Sequence, residues 1–352
     1  MISVFLEYFF SYIVDICVIV IVHEFGHYVV ARLCGVRVLS FSVGFGPEIV
    51  GFTDYSGVRW KISLFPLGGY VSFVDNESDR DSFSSIAHWK KMLVALAGPF
   101  ANVCSSVLIL TFLFYRIGVQ IIDPIVSNIV PGSPAAIAGI KPGDRILSVN
   151  GMSMSNAENV ETYFSSNTSK EIPIILNRDH VGIVKLNVVP RIQEIVDGFS
   201  VKRQALFIGA YFKNNARIQN ISIMQALLEG LSYSFSMAKE IFHVLYIMFS
   251  GGFQFDQIIG PIGVIKISKS FYEKGLNEYM FFLAEASLSV ALFNLIPIPI
   301  LDGGNFLIYF VEMIRRKPLG EKSKAVIFGI GFLIILALVV TVLRNDIYEL
   351  NI

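Results

Sequence analysis

The sequence predicts a mainly α-helical protein that crosses a membrane several times and carries a β-rich domain inserted between its second and third spans. Three observations lead there. Of 352 residues, 54% are hydrophobic and only 16% charged, whereas a soluble chain carries about a quarter charged residues. Four stretches, about 3–31, 91–115, 279–312 and 325–343, are apolar over the roughly 20 residues that a helix needs to cross hydrocarbon. Between the second and third, over 122–190, the composition turns polar and breaks into short runs separated by PG, GD and NG turn pairs.

Charge and cysteine content narrow the function classes. The 28 basic and 28 acidic residues cancel, which leaves no electrostatic footprint for nucleic acid. Cys17, Cys34 and Cys104 form no CxxC spacing, which argues against a disulfide framework or a cysteine metal site.

The first span lacks a basic start and a small-residue cleavage site, so it reads as a retained span and not as a signal peptide. Its apolar run passes straight into HEFGH, residues 23–27. On a helix, His23 and His27 share one face a turn apart and can grip one zinc ion through ring nitrogens. Glu24, next to His23, can reach an attacking water as general base. So short a pattern also arises by chance, and a polar helix end at the interface is the plain alternative. Two imidazoles and a carboxylate ending an apolar span are costly without partners, which favours function. Catalytic zinc takes three protein ligands. No third histidine follows at HExxHxxGxxH spacing, since the string reads HEFGHYVVARLC, so a third ligand must come from elsewhere.

Residues 40–73 alternate apolar and polar side chains around glycine turns, as β-hairpins do. The second span opens on AGPFAN (97–102), where Gly98, Pro99 and Asn102 read as a helix start with close packing. Further on, 226–250 is apolar but interrupted by Glu229, Lys239, Glu240 and His243. That pattern suits an amphipathic helix lying at the interface better than a fifth span. Lys and Arg collect between the first two spans (Arg32 to Lys91) and between the last two (Arg315 to Lys324). Both loops are therefore expected in the cytoplasm, with both termini and the middle segment outside it.

The third span contains FNLIPIPILDGGNF, in which Pro297 and Pro299 each lack an amide donor, so the helix must unwind there beside protein or a water-filled cavity. Asp302 follows directly. It could cap the restarting helix, or it could be a metal ligand. The four-span topology brings 294–302 to the cytoplasmic end, the depth of HEFGH.

Two resemblances enter here. The string GSPAAIAGIKPGDRILSVNG (132–151) resembles a PDZ domain of the type found in bacterial proteases. Such a domain either binds an extended peptide as an added strand or fills space and excludes bulky substrates. HEFGH, the basic loop, AGPFAN, the PDZ-like segment and NLIPIPILDGG (294–304) together resemble the site-2 protease family of intramembrane zinc metalloproteases, in the bacterial branch typified by the regulator of sigma-E protease. The resemblance implies Zn2+ bound by His23, His27 and Asp302, with Glu24 activating water. It implies that Asn294 contacts substrate backbone, and that 40–73, including Gly68 and Gly69, is a membrane-associated β-hairpin segment whose edge binds the unwinding substrate. It also implies an inner bacterial membrane and single-span membrane protein substrates already cut once, such as an anti-sigma factor or a remnant signal peptide. The single PDZ-like unit departs from the two of the sigma-E branch.

The expected division is 1–115 as the first half of a membrane core, 116–192 as the PDZ-like domain, 193–275 as a linker with the interfacial helix, and 276–352 as the second half of the core. A metal transporter using the same ligands would need polar groups continuing along the other spans, where Glu285 is the main one. An inert scaffold that recruits partners through the PDZ-like domain would bind no zinc. Oligomeric state is not encoded in these motifs.

Overall fold

The computed structural model describes residues 2–76, 79–166, 171–196, 202–213, 216–250 and 260–349. An unbroken apolar run without proline makes α1 (Ile2–Leu33), which carries HEFGH in its last third. Next come β1 (Val38–Thr53) and β2 (Arg59–Phe73). Both strands bend, so residues 38–43 of β1 are flanked on one side by 69–73 of β2 and on the other by 59–62, while 48–53 pairs with 59–63. The expected hairpins are thus four segments of one curved sheet. Phe45, Ile49, Val50, Phe52, Leu64 and Phe65 of this sheet stay exposed, as an apolar surface facing lipid would.

The second span is α2 (His88–Ile117). AGPFAN lies inside this helix and not at its start, a correction to the sequence reading. Pro99 is tolerated in the interior, but it has no amide to offer the Ala95 carbonyl one turn back.

The inserted unit, Phe114–Ser222, holds β3 (Val119–Ile122), β4 (Val126–Ile129), α3 (Pro134–Ile137), β5 (Arg145–Val149), β6 (Met152–Ser153), α4 (Ala157–Ser166), β7 (Ile172–Arg178), β8 (Gly182–Val188), β9 (Arg191–Val196), β10 (Lys202–Phe207), β11 (Ala210–Phe212) and β12 (Ala216–Gln219). Its main sheet runs β6-β5-β7-β8, and alternate residues Ile172, Ile174 and Leu176 of β7 are fully buried in its core. The expected boundary at 192 falls inside this unit, because β11 pairs with β4 and β12 with β3. An ion pair on a buried carboxylate ties the core: Arg178 Nε and Nη2 donate to Asp144 Oδ1 and Oδ2 at 2.8 and 2.7 Å.

The other unit resumes with α5 (Ile223–Ser250), α6 (Pro261–Lys274), α7 (Leu276–Asn294), α8 (Asp302–Arg315) and α9 (Glu321–Glu349). Residues 251–259 of the expected linker lie outside the described residues. Among the described residues four helical stretches are long and apolar enough to cross a membrane: Ile13–Leu33, His88–Ile117, Leu276–Asn294 and Glu321–Ile347. These match the four expected spans, and α5 is not one of them. The Tyr233 hydroxyl on α5 donates to Glu285 on α7, which gives that buried-span carboxylate a packing role.

Candidate active site

α1 presents His23 and His27 on one face, with ring centroids 4.9 Å apart and planes at 77°. Asp302 arrives from the opposite end of the chain. With Pro297 and Pro299 unable to donate, α7 ends at Asn294 and the helix restarts as α8 at Asp302. The chain folds back tightly between the two. Gly303 and Gly304 fit because the Leu295 and Ile298 carbonyls occupy the space a β-carbon would need. The cap position of α8 belongs to Leu301. The Asp302 carboxylate turns instead to the histidines: Oδ2 stands 2.9 Å from His23 Nε2 and 3.4 Å from His27 Nε2, and the two nitrogens are 3.2 Å apart.

This triangle fits a single ion. Ligand atoms about 2.0–2.1 Å from a tetrahedral zinc stand roughly 3.3 Å from one another, and the three donors here all lie within 4.8 Å. Proton placement supports the same reading. His27 Nδ1 lies 2.7 Å from the Val94 carbonyl oxygen, which can only accept, so Nδ1 carries the proton and Nε2 presents a lone pair. A carboxylate and imidazole lone pairs aimed at one point repel one another unless a proton or a cation sits among them.

A cavity of about 540 Å³ opens on the cluster, lined also by Glu24, Gly69, Tyr70, Val71, Asn294, Ile300 and Tyr309. The Val71 amide stands against the Glu24 carboxylate. Of the residues expected from sequence, His23, Glu24, His27, Gly69, Asn294 and Asp302 all reach this cavity. Gly68 does not line it and packs against the Phe45 ring. Two features escaped the sequence reading. Ile300, a β-branched residue, sits at φ +92° in the break between α7 and α8, a strained position of the kind that gathers at functional sites. Gly98 of α2 faces both imidazoles, and a β-carbon there would lie 2.7 Å from His23 Nε2 and closer still to His27 Nε2. Its spacing of four residues from both Val94 and Asn102 was the available signal.

Residues 11–338 match the model of peptidase family M50. The chain belongs to this family. It is 35% identical to a protein of Agrobacterium fabrum named as a zinc metalloprotease, over 97% of this chain and 96% of that one. A Rhizobium meliloti protein of the same description is 36% identical over 94% and 93% of the two chains. The metalloprotease MmpA of Caulobacter vibrioides is 28% identical over 94% and 92%. A PDZ domain of an SdrC-like protein from Listeria monocytogenes overlays 25% of the chain and 84% of its own length at 16% identity, with a TM-score of only 0.21. The family drawn from HEFGH and NLIPIPILDGG is therefore borne out. This M50 peptidase is an integral membrane zinc metalloprotease, a class that cleaves peptide bonds within the membrane.

Proposed function

We propose that His23, His27 and Asp302 hold the zinc ion, that Glu24 is the catalytic base, and that the substrate is the partly unwound helix of a single-span membrane protein. The observation that carries this is the convergence of three metal-ligand atoms on one point, with Glu24 lining the same cavity. Zinc in such a site supplies Lewis acidity, polarising a carbonyl and acidifying water. Glu24 takes the proton of the attacking water and passes it to the leaving amine nitrogen. Asn294, where α7 ends, orients the substrate backbone through its carboxamide.

A transmembrane helix satisfies its peptide groups internally, so hydrolysis requires local unwinding and replacement partners. Residues 69–73 of β2 pair with β1 along one edge, and Gly69, Tyr70 and Val71 border the cavity. The unwound substrate adds there as a strand. Gly69, without a side chain, permits close approach, and Gly68 just before that edge holds a φ of +148° that side chains rarely adopt. The substrate has already been shortened by another protease, as with an anti-sigma factor or a remnant signal peptide. The inserted unit is PDZ-like and either takes up a peptide or excludes bulky ectodomains. The protein sits in a bacterial inner membrane with both termini outside the cytoplasm.

Glu24→Gln tests this reading. The variant keeps its zinc and loses cleavage of a reporter helix in detergent. Undiminished cleavage removes Glu24 from the mechanism.

A further inference from the structure

We infer that Asn102 is a positioning residue for the metal: its side-chain carbonyl accepts the His23 Nδ1–H and so holds the His23 Nε2 lone pair on the ion. This rests on the metal-site reading above. Asn102 is fully buried on α2, and its carboxamide nitrogen lies 3.3 Å from His23 Nδ1. Its Oδ1 is buried and has no hydrogen-bond partner among the described residues. An imidazole that gives its Nε2 lone pair to a metal carries its proton on Nδ1 and needs an acceptor there. A carboxamide nitrogen cannot accept. Turning the nearly symmetric amide end for end leaves its shape unchanged and brings the orphan oxygen to the Nδ1–H.

The neighbouring rungs of α2 follow the same logic. Val94, Gly98 and Asn102 recur every four residues on one face, laid against His27 and His23 of α1. The Val94 carbonyl accepts from His27 Nδ1 at 2.7 Å, Gly98 leaves the space in front of both Nε2 atoms, and Asn102 serves His23 Nδ1. The backbone of Asn102 is itself held. The Ser105 and Ser287 hydroxyls donate to its carbonyl at 2.9 and 3.2 Å, joining α2 to α7.

The test uses the full-length protein in detergent, with the zinc dissociation constant read by chelator competition and the Co(II) spectrum read for ligand geometry. Asn102→Ala weakens zinc about 10- to 100-fold, the usual effect of losing an outer partner of a ligating histidine. Asn102→Asp, which keeps an acceptor oxygen at the same place, stays within about threefold of the native protein. The inference is overturned if Asn102→Ala keeps native affinity, or if Asn102→Asp falls as far as Asn102→Ala. If Asn102→Ala does not fold, Asn102→Asp alone decides: native affinity supports the inference and a tenfold or greater loss overturns it. His27→Ala separates the two levels. If it loses zinc while Asn102→Ala does not, only the positioning role fails. If it keeps zinc at full affinity, the metal-site reading fails and takes this inference with it.

Discussion

Gly98→Ala places one methyl group where the structure has none to spare. The added β-carbon would stand 2.7 Å from His23 Nε2 and nearer to His27 Nε2. A carbon and a nitrogen in contact sit about 3.5 Å apart, so both rings must retreat by several tenths of an ångström or more. They cannot do so independently, because His27 Nδ1 is tied to Val94 and both histidines share one helix face. A ligand set displaced on that scale should lose about a hundredfold in zinc affinity, or about 2.7 kcal/mol. Helix propensity works the other way: replacing glycine by alanine inside a helix favours the helix by about 1 kcal/mol. It offsets only part of the roughly 1–3 kcal/mol that overpacking against the tethered rings costs, so the metal-free variant should melt slightly below the metal-free native protein, while the stabilisation added by zinc collapses. Chelator competition and melting curves with and without zinc measure both quantities. A variant that binds zinc within about threefold of native affinity refutes the cradle geometry.

Removing zinc with a strong chelator should abolish cleavage of the reporter helix, and added zinc should restore it. Activity that survives complete metal removal would break the link between the cluster and the chemistry. In the inserted unit, burial raises the Asp144 carboxyl, but hydrogen bonds from Arg178 and Lys141 outweigh it and hold the group below the usual carboxylate range. A depressed folded-state value means the contribution is fully present above about pH 4 and is lost as pH falls through that lower value. Asp144→Ala should cost about 1–3 kcal/mol at neutral pH, because Arg178, partly exposed, loses its charged partner and keeps only the Gly139 carbonyl. Hydrogen exchange of the β5 and β7 amides reports this, and the gap between variant and native protein should narrow as pH falls below the usual carboxylate range. A gap of constant size would refute the pairing argument.

The four spans were legible because each is a local property: enough apolar residues in a row, visible at any window of the right length. The same holds for the paired histidines of α1, since a spacing of four places His23 and His27 on one face whatever surrounds the helix. The unwinding at Pro297 and Pro299 was equally local, following from missing amides. Other features depended on rotation and depth, which no local pattern carries. The expected helix start at Gly98 proved to be an interior turn, because the helix already begins at His88, ten residues earlier. Strands β11 and β12 pair with partners some 80 to 100 residues earlier, so the reach of the inserted unit past 192 could not be seen in its own composition. The four apolar spans, the paired histidines on one helix face and the break at the two prolines were thus determined by the sequence alone. Only the tertiary structure decided that Asp302, 279 residues from His23, turns its carboxylate to the histidines and away from its own helix end. It alone set Gly98 and Asn102 of α2 against the two rings, because contact between distant segments is fixed by how packed helices rotate about their axes.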